Sequence, residues 1–552
     1  MSKNGLKFIA LSGTSGVTEN LYVYEYGEDM IIVDCGVGFP DPEMYGVDLV
    51  IPDFTYIRQN AKKLRGIVIT HGHEDHLGAV PFLLRDVKAP VYASRLTAGF
   101  LEDKLVDYKI KDCRVHVFDP DRDSLTLGVF KVTPFLVSHS VPDACGLAID
   151  TPEGKLFHVP DYKFDWTPTS GKPFDVAKAA TLASGGVLAL ASDALGSMSP
   201  GHTESEAFIE DRIESIIKNA TGQVYFTTIS SNISRMQQAL NVAMRNGRKA
   251  CFVGRSVDKK AEIARRLGYL TYPRDLVVNL KQARNYDKDH IMYIISGCYG
   301  QPGSALYRVA LGEHQQLSLE EADTVIFSGD PAPPGSKAKV DFLVDRLFEM
   351  NVDVHYYDMQ EDLHVSGHGS QEDIKFLFGL IKPKYFIPIG GTVRHMRGYR
   401  DLAVNMGAKP SSVLELPAGG VVEYKEGRAS QLKPIPVRDV LVDGIDVGGV
   451  GNAVLRDRQI LAEEGFVIVI LHMDKTNGRL TENPELVSRG FVFEKKHKGF
   501  LENASKELKK RLDERKVSKA QIIRDESVNF LEKTFLAKTG RRPMIIPVIV
   551  EI

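Results

Sequence analysis

The stretch ITHGHEDHLGA, residues 69–79, places three histidines and two acidic side chains within six positions, directly after an apolar run. Side chains alternate along an extended chain, so His71 and His73 can face one metal ion. Asp75 and His76 can hold a second ion beside it, and zinc and manganese both accept imidazole and carboxylate ligands. A solvated polar loop is the alternative, but it does not explain three of the chain's 15 histidines in one loop. The stretch therefore predicts a metal centre at the end of a strand.

A two-metal hydrolase needs further ligands from other strands, and suitable residues occur where two later strands are predicted to end. LVSHSVPDA supplies His139, and FHVPDYKFDW supplies Asp161, whose carboxylate can bridge two ions. Either residue alone is more often structural than a metal ligand. Together with HGHEDH they indicate a dinuclear site.

Length and composition place the chain among ordinary globular proteins of several domains. The chain has 552 residues and a formal net charge of -3, so binding to nucleic acid must come from local patches and metal ions. No apolar run approaches the roughly 20 residues of a membrane span, and the N-terminus does not resemble a signal peptide. We therefore expect a cytoplasmic protein that does not bind membranes. Its five scattered cysteines predict reduced, mostly buried thiols.

The hydrophobic pattern changes along the chain. Short β-rich runs such as YVYEYGEDMIIVDCG, GIVIT and VLALASD, joined by helical stretches, predict an α/β layered sandwich. From about Glu204, longer helical patterns follow single strands that end in Gly/Ser/Asn clusters, which is typical of a doubly wound α/β domain. The final unit combines the strands FVIVILHM, VSRGFVF and MIIPVIVEI with one charged helical segment, NASKELKKRLDERKVSKAQIIRDESVNFLEKTFL.

These motifs resemble the metallo-β-lactamase superfamily and, over essentially the whole chain, the bacterial ribonuclease J family of β-CASP nucleases. Besides HGHEDH, His139 and Asp161, Asp34 in IIVDCG matches the early aspartate that orients a metal ligand. The resemblance extends through GFPDPEMYGVDLVIPDFTYI, FVGRSVDKKAEIARRLGYL, HVSGHGSQED, RDVLVDGIDVGGVGNAVLRDR and RRPMIIPVIVEI. Because the similarity covers many separate segments, it is more specific than one motif.

The resemblance implies an α/β fold: a metallo-β-lactamase αββα sandwich with an inserted β-CASP α/β domain and a C-terminal α/β domain. The expected boundaries are 1–203 for the first lactamase part, 204–354 for the β-CASP domain, 355–435 for the second lactamase part and 436–552 for the linker and C-terminal domain. The implied activity is endonucleolytic and 5′-to-3′ exonucleolytic hydrolysis of RNA in RNA processing and decay.

The resemblance also implies roles for individual residues. One ion, most simply zinc with manganese or magnesium as alternatives, is expected at His71, His73, His139 and Asp161, and a second at Asp75, His76 and the shared Asp161. Asp193 falls at the acidic β-CASP motif, although the segment after it departs from the family pattern. His364 and His368 match the pair that binds the scissile phosphate, with His368 as the proton donor. We expect Asp75, His76, Asp193 and His368 to carry catalysis.

Three glycine- and serine-rich turns, SSNISR, SGCYGQPGSAL and VSGHGSQED, each open a predicted helix and can cradle phosphates with backbone N–H groups. By resemblance they form a 5′-monophosphate pocket and a channel for single-stranded RNA. The expected RNA contacts are Ser231, Asn232, Arg235, Arg255, Gly297, Tyr299, His364, Val365, Ser366, Gly367 and His368. The two arginines could equally be surface or ion-pair residues, and Tyr299 could either stack on a base or fill an interdomain gap.

Two departures from the family pattern bear on activity. Gly390 stands where the family has a histidine that completes the second metal site, and nearby His395 is expected to be a surface histidine rather than a replacement. In SGCYGQPGSAL, Cys298, Tyr299 and Gln301 replace polar and acidic positions, so the preference for the RNA 5′ end is expected to differ.

Two main hypotheses follow. The first is a two-metal ribonuclease, and a dimer or tetramer is expected under either hypothesis. The second, which rests on Gly390 alone, is a weakly active or non-catalytic RNA-binding subunit that supports a partner of the same family. A small-molecule hydrolase of the lactamase fold is disfavoured because such enzymes have no reason to carry the two additional domains.

Overall fold

The computed structural model describes residues 5–331, 333, 335–357, 363–444, 446–491, 494–515 and 519–552. The chain forms two compact units: one contains Met1–Phe39 and Leu49–Val440, and the other contains Pro40–Asp48 and Leu441–Ile552. Across the described part of the chain, no helix combines the length and apolar character needed to cross a lipid bilayer.

Within the described ranges, the strands are, in chain order, β1 (Leu6–Ser12), β2 (Leu21–Tyr26), β3 (Asp29–Val33), β4 (Leu49–Ile51), β5 (Leu64–Ile69), β6 (Val91–Ala93), β7 (Val115–Val117), β8 (Leu125–Leu127), β9 (Phe130–Leu136), β10 (Cys145–Thr151), β11 (Gly154–Val159), β12 (Val187–Asp193), β13 (Val224–Thr227), β14 (Lys249–Val253), β15 (Ile291–Ile295), β16 (Thr324–Phe327), β17 (Asp353–His355), β18 (Pro383–Ile389), β19 (Gly420–Lys425), β20 (Arg428–Leu432), β21 (Val440–Asp443), β22 (Asp446–Val447), β23 (Phe466–Met473), β24 (Glu485–Arg489) and β25 (Met544–Glu551).

The α-helices of the same ranges are α1 (Thr55–Gln59), α2 (Glu74–Leu77), α3 (Val80–Asp86), α4 (Arg95–Asp107), α5 (Val176–Ala183), α6 (Ala207–Asn219), α7 (Ile233–Arg245), α8 (Arg255–Leu267), α9 (Leu280–Ala283), α10 (Ala305–Ala310), α11 (Ser336–Glu349), α12 (Gln371–Ile381), α13 (Val393–Asn405), α14 (Asn452–Glu464), α15 (Glu494–Glu514) and α16 (Ala520–Thr539). Short 3₁₀ turns cover Ala61–Lys63, Leu195–Met198, Lys288–His290 and Pro410–Ser412.

Two sheets face each other in the first unit. One has the strand order β20-β19-β1-β2-β3-β5-β6-β7, and the other has the order β18-β12-β11-β10-β9-β8. Their alternating apolar residues, such as Phe8 and Tyr24 on the first and Leu147 and Ile149 on the second, form one buried core. This arrangement confirms the predicted sandwich.

Helices cover the outer faces of the sandwich. Phe378 of α12 and Tyr399 of α13 pack with Phe157 and Leu190 on the outer face of the six-stranded sheet. Helix α4 packs beside β6 and β7 of the other sheet. The order of layers is therefore helix, sheet, sheet, helix, as expected.

The direction of the strands brings distant segments to one edge of the sandwich. Strands β11, β12 and β18 run parallel, so the residues that follow their carboxyl ends share one side of the sheet. Asp161 follows β11, Asp193 ends β12 and Gly390 follows β18. In α/β proteins this edge is where binding sites usually form.

The inserted region contains a five-stranded parallel sheet of order β14-β15-β13-β16-β17. Helix α7 connects β13 to β14, and α11 connects β16 to β17. The connections confirm the doubly wound pattern predicted after Glu204, in which single strands alternate with amphipathic helices. The four domain boundaries expected from the sequence stay predictions.

The second unit has its own core. Strand β23 lies between antiparallel β24 and parallel β25, and its inward residues Val467, Val469 and Leu471 pack against α15 and α16. The prediction of one helical segment was wrong, since the structure has two helices. A single helix of 34 residues would extend about 50 Å, whereas Leu508 of α15 and Phe535 of α16 reach the same core. Residues 516–518 of that segment, and the last two of VSRGFVF, lie outside the described residues.

All five cysteines are free thiols, and all except half-buried Cys113 are buried: Cys35, Cys145, Cys251 and Cys298. The predicted reduced, mostly buried state is confirmed.

Candidate metal centre

The loop that carries HGHEDH leaves β5 and enters the short helix α2. It lies directly on the segment after β3: a Cβ added to Gly36 would lie 1.5 Å from the backbone oxygen of Asp75. Only glycine therefore fits at position 36. The Cys35 N–H donates to the backbone oxygen of His76 at 2.7 Å. These contacts fix the backbone from which the acidic and histidine side chains project.

Four side chains from three strand ends form the first cluster. His71, His73, His139 and Asp161 each offer one ligand atom, and these atoms lie within 4.8 Å of one another. Asp161 Oδ2 is 3.5 Å from His71 Nε2 and 3.6 Å from His139 Nε2. His73 Nδ1 lies 3.3 Å from His139 Nε2. The predicted ligand set of the first ion is thus brought together.

Asp75, His76 and Asp161 form the second cluster. His76 Nε2 lies 3.3 Å from Asp161 Oδ1 and 3.5 Å from Asp75 Oδ2. Asp161 therefore directs one oxygen to each cluster, which is the arrangement expected of a bridging carboxylate.

Hydrogen bonds behind the rings of three histidines direct their other ring nitrogens toward the clusters. His139 Nδ1–H donates to Gly367 O at 2.8 Å, and His76 Nδ1–H donates to Asp34 Oδ2 at 2.8 Å. His71 Nδ1 lies 3.1 Å from the hydroxyl of Thr70, which itself donates to Asp34. Such contacts fix the tautomer and orientation of a metal-binding imidazole.

The electrostatics of the cluster suit divalent cations. His71 Nε2 is buried and has no hydrogen-bond partner in the described part of the chain. Burial, and then the rings of His139 and His71, hold the pKa of His73 well below its ordinary value, so this imidazole is neutral. Burial alone would raise the pKa of Asp161, but nearby His76 and His368 outweigh it and lower that pKa. Neutral His73 beside an ionised Asp161 fits a bound divalent cation. At His76 the carboxylates of Asp161, Asp75 and Asp34 outweigh burial and raise the pKa well above its ordinary value, so a cation bound there would displace a proton.

His368 and Asp193 form a pair at the edge of the metal centre. His368 Nδ1 lies 2.6 Å from Asp193 Oδ2, and its Nε2 lies 3.9 Å from Asp161 Oδ2. Burial lowers the pKa of His368, but the carboxylates of Asp193 and Asp161 outweigh burial and raise that pKa to about 9. The ring therefore carries a proton at neutral pH on the side that faces the clusters.

Gly390 contributes no ligand, as its residue type predicts. Its backbone is left-handed with φ of +67°, and a Cβ there would lie 3.5 Å from Asp193 Oδ1. The expectation of a surface histidine at His395 was wrong. That side chain is buried, its Nδ1 accepts the Thr392 N–H at the start of α13, and it is not a member of either metal cluster.

The loop that contains His368 lies against the metal centre. Gly367 supports His139 through its carbonyl, and Ser366 Oγ accepts the His368 N–H at 3.0 Å. Ser366 is exposed and Val365 is half-buried. The half-buried His364 has a buried Nδ1 without a hydrogen-bond partner among residues that the structure describes. Burial, with a smaller contribution from the nearby guanidinium of Arg235, lowers the pKa of His364 to about 4.

The turn after β15 carries Tyr299. Burial, then Cys298 and Asp75, raise the pKa of Tyr299 well above its ordinary value. Gly297 has φ of +126°, and a Cβ there would lie 2.6 Å from Ser304 Oγ. Both alternatives for half-buried Tyr299, base stacking and gap filling, remain compatible with this position.

The prediction that Arg235 contacts RNA was wrong for this conformation. Its side chain is fully buried, with Nη2 2.6 Å from Glu206 Oε2 and Nη1 3.1 Å from Leu363 O. Ser231 and Asn232 are also buried, and Asn232 Oδ1 accepts the Arg235 N–H as the cap of α7. These three residues stabilise the fold instead of presenting polar groups to solvent. Arg255 is exposed, but it pairs with Asp107 at 2.9 Å.

Three residues around the metal centre were missed by sequence reasoning. Thr70 donates to Asp34, Ser140 Oγ lies 3.1 Å from His73 Nε2, and Asn20 Nδ2 lies 3.1 Å from His76 Nε2. Thr70 and Ser140 adjoin predicted ligands, which was a usable signal. Asn20 reaches the site from the segment before β2, and nothing in its local sequence indicates this.

Four family models match separate parts of the chain. Residues 30–194 match a beta-lactamase superfamily domain, and residues 221–347 match the ribonuclease J beta-CASP domain. Residues 358–413 match a Zn-dependent metallo-hydrolase RNA specificity domain, and residues 453–552 match the ribonuclease J C-terminal domain. The matches follow the order expected from the sequence motifs.

Curated relatives match over the full length. Ribonuclease J2 of Bacillus subtilis is 35% identical over 558 residues, covering 99% of each chain. Ribonuclease J 1 of Streptococcus pyogenes is 34% identical, covering 100% of this chain and 98% of the relative. Ribonuclease J 2 of Staphylococcus epidermidis is 33% identical over 99% of this chain and 98% of its own.

A solved structure of a protein of unknown function from Enterococcus faecalis has the same general fold. Its TM-score is 0.52 at 14% sequence identity, and the match covers 78% of this chain and 100% of that one.

Proposed function

Because the chain belongs to the ribonuclease J family, we propose that it hydrolyses RNA at the two metal clusters that share Asp161. The protein is a metal-dependent ribonuclease that binds RNA and uses divalent metal. Beyond this activity, we propose where RNA is hydrolysed, which residues take part and that two ions are bound. The observation that carries it is the division of the two Asp161 oxygens between the clusters.

The ligand set favours two zinc ions, with manganese or magnesium as alternatives. His71, His73 and His139 offer three imidazoles with Asp161, whereas the second cluster offers one imidazole and two carboxylates. Nitrogen-rich sites suit zinc, and oxygen-rich sites also accept manganese or magnesium. When bound, such cations supply positive charge that stabilises the transition state of phosphodiester hydrolysis and lowers the pKa of the attacking water.

His368 is the proposed proton donor. A leaving ribose oxygen needs a proton, and His368 presents Nε2 toward the clusters while its Nδ1–H is held by Asp193. The Asp193 carboxylate orients the ring and helps to keep it protonated. Divalent cations nearby would lower the pKa of His368 from about 9 toward neutrality, where a general acid works best.

The proposed substrate is single-stranded RNA, with a preference for a 5′-monophosphate, cut both internally and from the 5′ end. His364, Val365, Ser366, Gly367, His368, Gly297 and Tyr299 are the proposed RNA contacts that border the site, and exposed Arg255 is a proposed contact further away. Arg235, Ser231 and Asn232 leave this set because they are buried. With a net charge of -3, the chain depends on such local contacts for RNA affinity.

The proposed assembly is a homo-oligomer, either a dimer or a tetramer. Strand β25 is an edge strand of the second unit and exposes Ile546, Val548 and Val550 on one face. Exposed apolar edges of this kind favour association between copies. The proposed location is the cytoplasm.

Gly390 is the one observation behind the alternative of a non-catalytic RNA-binding subunit. Its lack of a side chain leaves the second cluster with Asp75, His76 and Asp161. Six predicted ligands remain in place, together with the His368–Asp193 pair. A protein without catalysis would have no reason to retain this arrangement, and the alternative is not better supported.

The proposal predicts metal-dependent cleavage that stops when the second cluster is broken. The full-length protein, stripped of metal with EDTA, is incubated with 5′-monophosphorylated or 5′-triphosphorylated single-stranded RNA before and after addition of manganese or zinc. We expect cleavage only with metal, faster on the monophosphate, and at least 100-fold slower for Asp75→Ala and His76→Ala. His290→Ala, which removes an exposed histidine paired with Asp289, is the control. Undiminished cleavage by Asp75→Ala and His76→Ala would place the chemistry elsewhere.

A further inference from the structure

Glu74, between His73 and Asp75 in the metal-binding loop, is held by two lysines from different parts of the first unit. Lys104 Nζ of α4 donates to Glu74 Oε2 at 2.5 Å. Lys260 Nζ of α8 donates to the other oxygen, Oε1, at 3.3 Å. Helix α8 follows β14 in the five-stranded sheet, whereas α4 packs on the sandwich. One carboxylate of the loop thus connects the loop to both regions.

Helix α8 docks on α4 through one face. Arg255, Lys259, Ile263 and Leu267 are spaced by four residues, so they lie on the same side of α8. A Cβ on Gly99 of α4 would lie 2.9 Å from side-chain carbons of both Ile263 and Leu267. The glycine therefore allows close contact between the two helices.

Ion pairs extend this contact along the two helices. Lys259 Nζ lies 3.0 Å from both Asp103 Oδ1 and Asp107 Oδ1, and Arg255 pairs with Asp107. Beyond the helix, Tyr269 OH donates to Asp143 Oδ2 at 2.8 Å. These links hold α8 in place independently of Glu74.

Lys260 differs from its neighbour Lys259 in its surroundings. The Lys260 side chain is 13% exposed, against 31% for Lys259, and its ammonium lies 5.3 Å from the centre of the Phe100 ring. A cation in such a place is screened less by solvent than one on the surface. The Glu74 carboxylate that it contacts is 39% exposed, so solvent screens this pair mainly from the Glu74 side.

The backbone transmits the position of Glu74 to the second metal cluster. Glu74 begins α2, and its carbonyl accepts N–H groups from Val37 at 3.0 Å and Gly78 at 2.7 Å. The next carbonyl, that of Asp75, accepts the Asn20 N–H at 3.0 Å. A displacement of Glu74 must therefore move both of its neighbours, His73 and Asp75. Asp75 and His76 are two of the three ligands of the second cluster, whereas His73 is one of four in the first, so the second cluster is affected more.

We propose that Lys260 is a positioning residue through which the inserted α/β domain holds the metal-binding loop in its binding conformation. The proposal rests on the proposed function, because it assigns Lys260 a role at the same metal centre. It follows that the Lys260–Glu74 contact strengthens metal binding at Asp75, His76 and Asp161 and has less effect on the cluster of His71, His73, His139 and Asp161. By linkage, metal at the second cluster also strengthens docking of the inserted domain.

The test is titration of Mn²⁺ alone into the metal-free, full-length protein, followed by electron paramagnetic resonance and calorimetry. The weaker ion is the one expected at Asp75, His76 and Asp161, which offer fewer ligands. For Lys260→Ala we expect the Kd of this ion to rise about tenfold, the loss typical of a removed supporting contact. The Kd of the tighter ion, at the four-ligand cluster, should change little. Lys259→Ala is the matched control and keeps wild-type affinity for both ions. Lys260→Arg restores the cation and is expected to bind Mn²⁺ within about twofold of the wild type.

Wild-type Mn²⁺ affinity in Lys260→Ala would overturn the proposal, as would an equal loss in Lys259→Ala, which would assign the effect to helix docking in general. Thermal unfolding checks that each variant is folded. If Lys260→Ala does not fold, Lys260→Met keeps an apolar side chain beside Phe100 without the cation and is expected to weaken the same ion. If the wild type cuts no RNA, the proposed function fails, whereas the Mn²⁺ titration still decides the role of Lys260.

Discussion

Asp34 shows how one residue away from the ligand set can organise the metal centre. It is fully buried with φ of +60°, a conformation that costs a non-glycine residue roughly 1–2 kcal/mol. Its carboxylate accepts hydrogen bonds from the N–H and hydroxyl of Thr70 and from His76 Nδ1. The strained backbone is therefore offset by contacts that orient the first histidine of HGHEDH, His71, through Thr70 and the last, His76, directly.

Arg235 illustrates what the sequence does not reveal at this scale. An arginine two residues into a predicted helix after a Gly/Ser/Asn-rich turn is compatible with phosphate binding, and the motif alone cannot show burial. The structure surrounds it with Glu206, Ser328 and the Leu363 carbonyl. All three partners are distant in sequence, so only the tertiary fold determines the role of Arg235.

We predict that Arg235→Ala destabilises the protein by about 3–5 kcal/mol, because it leaves Glu206 buried without its closest cation. Urea unfolding of the full chain measures this loss. Arg255→Ala, which removes a 75% exposed side chain with one ion pair, serves as the control and should change stability by less than about 1 kcal/mol. An Arg235→Ala protein as stable as the wild type, but with weaker RNA binding, would restore the phosphate-binding interpretation.

At the scale of the element, strand β11 forms part of the core and leads to Asp161, the proposed bridge between the two clusters. Asp161 follows its end, and His158, one residue before that end, points between the two sheets. His158 Nδ1 lies 2.9 Å from Tyr24 OH, and its Nε2 is buried without a hydrogen-bond partner in the described ranges. Burial lowers the pKa of His158 to about 4.

A buried neutral histidine predicts acid sensitivity. The folded-state pKa of about 4 lies below the unfolded value of about 6.5. The unfolded chain therefore binds the proton more readily, and the stabilising contribution is complete above pH 6.5 and is lost as the pH falls from 6.5 to 4. The shift corresponds to about 3 kcal/mol at the lower end of this window.

Thermal unfolding at pH 7 and pH 5 tests this prediction with His158→Gln, which keeps a polar partner for Tyr24 but does not titrate. We expect the midpoint temperature of the wild type to fall further between the two values than that of the variant. Parallel pH dependence in both proteins would show that His158 does not contribute to acid sensitivity.

The sequence predicted the boundaries of strands and helices where the hydrophobic pattern was continuous. The alternation in FVIVILHM matches β23, and the helical pattern of ISRMQQALNVAMRNG matches α7. The sequence also indicated the six residues of both clusters, since each follows a strand that the hydrophobic pattern marks. The separation of α15 and α16, the buried cap at His395 and the contact of Asn20 with His76 depend on tertiary packing. Local periodicity carries no information about such contacts.

At the scale of the whole molecule, similarity to the ribonuclease J relatives covers the full length, so the family assignment does not depend on any single site. The site itself departs from the family pattern at Gly390. The left-handed backbone of Gly390 also means that any side chain placed there is strained. Restoration of a histidine therefore needs Gly390→Ala as a control for backbone strain.

The most direct measurement is the single-turnover rate of cleavage of 5′-monophosphorylated, single-stranded RNA by the wild-type chain over a titration of manganese. Gly390→His and Gly390→Ala are measured beside it. Because six ligands are retained, we predict that the wild type cleaves RNA. At saturating metal its rate should lie within about tenfold of the rate of Gly390→His. Any larger advantage of Gly390→His in cleavage rate should appear only at low metal concentration. A wild type that is inert at every metal concentration, beside an active Gly390→His, would contradict the account and identify the chain as an RNA-binding subunit without catalysis.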